Sequence, residues 1–97
     1  MLARVARWEG AEATALEGSA AAIRAEAESG PPPGVPAKKF LLLHDTANGK
    51  AIAITLFETE GDYAEGDATL DAMSPPGGGM GRRVGVEKYE LVVELDA

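Results

Sequence analysis

Gly34–Met73, GVPAKKFLLLHDTANGKAIAITLFETEGDYAEGDATLDAM, is the stretch on which the fold turns. Phe40–His44 and Ala51–Phe57 are its two β-rich runs, with Asn48-Gly49 between them. That dipeptide favours a two-residue turn, because both residues tolerate a positive φ. The two strands are apolar on both sides. Phe40 and Leu42 oppose Leu41 and Leu43; Ile52, Ile54 and Leu56 oppose Ala51, Ala53 and Phe57. A strand in a sheet with one wet face alternates apolar with polar, so this hairpin asks for cover on both sides. Downstream, Thr59 and Asp62 have capping-box spacing, and Tyr63, Asp67 or Gly66, Leu70 and Met73 form a sparse helical face before Pro75.

Outward from this core, Leu2–Trp8 reads as a first strand, with Ala3 and Val5 on one face and Leu2, Arg4, Ala6 and Trp8 on the other. Ala11–Ser29 changes to helical period, with a stripe of Ala13, Leu16, Ala20, Ile23 and Ala27. Gly30 and Pro31–Pro33 end that helix. Ser74–Gly81 is a glycine-rich connector rather than a phosphate loop, since no Lys-Ser/Thr follows it. Arg83–Leu95 reads as a long last strand with a bulge at Gly85.

The order β-α-β-β-α-β in 97 residues predicts one α+β domain spanning 1–97. It is a ferredoxin-like sandwich: a four-stranded antiparallel sheet with two helices on one face. The other face is then bare. Leaving a Leu or Phe wet forgoes about 1.5–3 kcal/mol each, so a homodimer packed sheet to sheet is expected.

A net charge of −7 disfavours nucleic acid and anionic membranes as partners. The chain has no cysteine, which removes disulfides, thiolate catalysis and zinc–thiolate sites and fits a cytoplasmic location. No run has the length of a signal sequence or a membrane span.

Pro33-Gly34-Val35, the Asn48-Gly49 turn and Ile54–Tyr63 (ITLFETEGDY) together resemble the dimeric α/β-barrel superfamily, in its antibiotic-biosynthesis monooxygenase variety. The resemblance implies a homodimer with a small pocket in each protomer, oxidising aromatic or quinol-like substrates with O₂ and no metal, flavin or other cofactor. Phe57 stands where the family usually has tryptophan, and Ala53 where active members place asparagine. The alternative is a non-catalytic dimeric module for a small ligand or a protein.

Four residues are candidates for ligand binding. Arg4 and Trp8 share a strand face and would grip a flat anionic or phenolic molecule against the wall offered by Phe57. In the plainer reading, Arg4 pairs with Glu90 across the strands and Trp8 closes the sheet end. His44 is the single histidine and lies beside Asp45, suited to proton transfer or merely exposed near the turn. Tyr63 and Tyr89 carry phenolic hydroxyls that a ligand could use, although Tyr89 also suits a core position. The acidic run from Glu58 to Asp71 lacks calcium-loop spacing and reads as a solvated helix face, so no metal is expected. No catalytic residue is assigned.

Overall fold

The computed structural model describes residues 1–73 and 80–96. Their order is β1 (Leu2–Glu9), α1 (Ala13–Ala27), β2 (Lys39–Asp45), β3 (Lys50–Phe57), α2 (Glu60–Ala72) and β4 (Arg82–Glu90), with a 3₁₀ turn at Thr46–Asn48. The strands form one antiparallel sheet in the order β2-β3-β1-β4. This is the ferredoxin-like α+β arrangement that the alternation of periods implies. The connector 74–79 lies outside the described residues.

Register sorts the side chains into two faces. Leu2, Arg4, Ala6 and Trp8 of β1 align with Phe57, Thr55, Ala53 and Ala51 of β3, and Phe40, Leu42 and His44 of β2 continue the same face. Both helices pack there. Leu16 of α1 joins Ala51, Trp8 and Leu42, while Tyr63 of α2 joins Phe57, Val35 and Leu2. Phe57 is fully buried, and the edge of its ring meets Tyr63 at 5.6 Å between centroids. Burying such a side chain contributes about 3 kcal/mol. Gly66 of α2 lies directly over the Phe57 ring, which lets the helix approach the sheet. Thr59 Oγ1 accepts from the Asp62 amide at 3.1 Å, so the capping pair starts α2 where its spacing predicts.

The helix-free face carries Leu41, Leu43, Ile52, Ile54, Leu56, Ala3, Val5 and Tyr89. Its centre, Ala3, Val5 and Leu56, is buried, with Leu91 packed against it. Leu41 and Leu43 remain open to solvent.

Three local expectations are corrected. The hairpin turn takes four residues rather than two: Asp45 still pairs with Lys50, and only Gly49 has a positive φ, at 65°. Asn48 instead donates Nδ2 to Asp45 Oδ2 at 2.8 Å, and Gly49 sits against the Ala11 backbone, whose amide it accepts at 3.2 Å. Strand β4 stops at Glu90, opposite Leu2; one further bond, from the Leu91 amide to the Met1 carbonyl, follows before the chain leaves the ladder. Buried positions of α1 are Leu16 and Ser19, whereas Ala13 and Ala27 of the expected stripe are exposed. The β4 irregularity falls beside Gly85: Arg7 faces Gly85 and Trp8 faces Arg83, so Val84 is the extra residue.

Candidate functional site

An open cleft of about 490 Å³ lies between α2 and β4, lined by Tyr63, Asp67 and Asp71 on the helix and by Arg83–Val86 and Lys88 on the strand. Its walls are mostly polar. Each cation on the rim has a carboxylate partner: Arg83 pairs with Asp71 and Lys88 with Glu60. Lys88 Nζ also stands 4.8 Å from the Tyr63 ring centroid. The bond to Glu60 raises the Lys88 ammonium above its ordinary value. Burial raises the Tyr63 phenol, with the nearby Asp67 adding to the effect, so the hydroxyl keeps its proton and remains a donor at neutral pH.

Next to the cleft lining, bonded to Asp67 and paired in register with Lys88, lies Arg4, only 4% exposed. It sits mid-strand, opposite Thr55 on one side and Lys88 on the other. Its Nε donates to Asp67 Oδ1 at 2.8 Å. Its Nη2 is buried and finds no partner among the described residues. A buried guanidinium nitrogen without an acceptor costs about 1–3 kcal/mol or more, since it has left water for nothing in return. The partner expected from strand alignment, Glu90, is opposite Leu2 instead, and the acceptor comes from α2.

The four candidate residues share the helix-covered face but do not form one site. Trp8 belongs to the cluster under α1 with Leu16, Ala51 and Met80. His44 lies in the same row, opposite Ala51, on β2 at the sheet edge opposite β4 and the cleft. Its Nε2 is buried and has no partner among the described residues. Phe57 fills the space under α2 rather than walling an opening. Only Arg4 reaches the cleft, through Asp67. Tyr89 projects from the opposite face and donates its hydroxyl to Glu87 Oε2 at 2.7 Å. Asp67, Lys88 and Arg83 were not singled out by sequence spacing. The one available signal was that Arg4 and Lys88 fall on one face of neighbouring strands, a like-charge pair that calls for an anion between them.

Among the described residues no group of three or more His, Asp or Glu side chains is placed to hold a metal ion, and no helix is long and apolar enough to cross a membrane. Comparisons with protein-family models, curated proteins and solved structures returned no match.

Proposed function

We propose that the chain is a homodimeric binding module that holds a small aromatic anion in the cleft between α2 and β4, anchored by Arg4. The observation behind this reading is the buried Arg4 nitrogen that lacks an acceptor next to an open, cation-rimmed cleft. A ligand carboxylate there displaces Asp67, which is 43% exposed and free to swing outward, and takes both guanidinium nitrogens as a bidentate pair. Lys88 supplies a second charge, and Tyr63 a hydroxyl and a ring edge. The uncovered sheet face supports the dimer.

Binding is favoured over oxygen chemistry because, among the described residues, the single histidine does not line the cleft. His44 stands on the opposite edge strand of the sheet, and Ala53 and Phe57 occupy the positions where the resembling monooxygenases use asparagine and tryptophan. Calorimetric titration with benzoate- and hydroxybenzoate-type ligands, beside neutral phenols, tests the reading. Carboxylates should bind and neutral phenols should not. Arg4→Lys should weaken the carboxylate at least about tenfold, since a point charge cannot reproduce the fork. Asp67→Asn should tighten it by removing the competing acceptor. Equal binding of neutral phenols, or weaker binding by the Asp67→Asn variant, would overturn the assignment.

A further inference from the structure

The segment 91–96 belongs to neither the sheet nor a helix. It leaves β4 at one edge of the sheet and crosses the helix-free face. Leu91 donates its amide to the Met1 carbonyl at 2.9 Å and packs on Ala3, Val5 and Leu56; Glu94 then pairs with Lys39 at 3.0 Å, on β2 at the opposite edge. The segment is thus a strap over one end of that face. Its outer side is strongly apolar: Val92 is 82% exposed, Val93 68% and Leu95 86%. At the other end of the same face Leu41 and Leu43 lie open, with Leu43 49% exposed. One end is raised and apolar; the other is uncovered, apolar along Leu41, Leu43, Ile52 and Ile54 and bordered by the Arg7–Glu87 pair towards β4.

We infer that each strap is completed by a second copy of the chain: Val93 and Leu95 of one protomer seat on the bare Leu43–Ile52 end of the other, and reciprocally. The inference rests on the homodimer reading above and adds to it which residues meet. Symmetry selects the arrangement. Two faces stacked about an axis parallel to the strands bring strap against strap, with a gap at the far end. An axis across the strands keeps β2 opposite β2 but reverses its ends, so each strap falls on the other copy's open end. Charges agree with that choice. Lys39 and Glu94 mark the strapped end, while Asp45 and Lys50 pair across the strands at the bare end. Reversal sets Glu94 towards the second copy's Lys50, and Lys39 towards its Asp45. Area agrees too. Four strands about 25 Å long at ~4.8 Å spacing cover about 500 Å² in projection, and side-chain relief brings this towards the roughly 800 Å² each partner of a stable pair contributes.

The test uses the absence of cysteine from the sequence. Leu43→Cys and Leu95→Cys are made as separate single variants in the full chain, at exposed positions where the change leaves folding intact. Within one chain position 43 lies about 13 Å along β2 from Lys39, where the strap ends, too far for a disulfide. Mild oxidation of the mixed variants should give a covalent 43–95 dimer on a non-reducing gel, and either variant alone should give far less. Truncation after Leu91 should raise the dimer dissociation constant at least tenfold by light scattering over a dilution series. A dimer that neither couples 43 to 95 nor weakens on truncation overturns the strap inference and leaves the homodimer standing. A monomer at every concentration removes both.

Discussion

Two helical glycines provide the sharpest check on the packing, because the same substitution should have opposite effects at them. A methyl added at Gly66 overlaps Phe57 Cε1 and Cζ, and the ring is fully buried with no space to retreat into. A methyl added at Gly18 meets nothing within 4 Å. Alanine in a helix interior is favoured over glycine by about 1 kcal/mol at either place. Overpacking a filled core costs about 1–3 kcal/mol, and a rigid ring held by Tyr63 and Val35 belongs at the upper end. Gly66→Ala should therefore lose about 1–2 kcal/mol net, and Gly18→Ala should gain up to about 1 kcal/mol. For a domain this small, each kcal/mol moves the Tm by about 4–8 °C. Thermal unfolding followed by circular dichroism should show Gly66→Ala melting roughly 5–15 °C lower and Gly18→Ala a few degrees higher. If Gly66→Ala melts at or above the parent, α2 does not sit on Phe57 as described and the cleft geometry falls with it.

Two further outcomes concern pH. A hydrogen bond from Arg7, then one from Tyr89, holds the Glu87 carboxyl below its ordinary 4.5. A depressed folded-state value stabilises above the unfolded value and is lost as pH falls through the folded one. The Tm deficit of Glu87→Gln should accordingly be present at pH 7, shrink as pH falls below 4.5 and vanish once pH is below the folded-state value; a constant gap down to pH 3 would refute it. The Tyr63 phenol is raised from 10.0, chiefly by burial, so its contribution is complete below pH 10 and disappears as pH rises through the folded value. In a Tyr89→Phe background, ultraviolet titration should place the ionisation of Tyr63 above 10; an ordinary titration curve would contradict its burial.

Topology was legible because each element carried its own signal: period two in Leu2–Trp8, period near 3.6 in α1, the Thr59–Asp62 cap, and two proline or glycine stops. The end of β4 was not. Leu91–Leu95 alternates as well as any strand, yet after one bond to Met1 it leaves the ladder and reaches Lys39 across the helix-free face, a contact between residues 55 positions apart. The turn after Asp45 was half legible, since Gly49 has the expected left-handed conformation while the 3₁₀ turn before it reflects contact with Ala11. At the site, Arg4 was visible as a charge on an apolar strand. Its depth and its bond to Asp67 were not, because residues 63 positions apart share no local pattern. His44 and Trp8 share the row of Ala51, where Trp8 packs with Leu16 and Met80 under α1 instead of lining the cleft.

The position of β2 at the rim of the sheet also bears on solubility. Among the described residues no strand pairs with its outer edge, and Phe40–Leu43 is an uncharged apolar run of the kind that recruits strands from other molecules into cross-β stacks. Lys38 and Lys39 stand immediately before that run, and Asp45 follows His44 behind it. Repulsion between such flanking charges discourages in-register stacking of copies. The two lysines thus act as gatekeepers for the most aggregation-prone four residues of the chain.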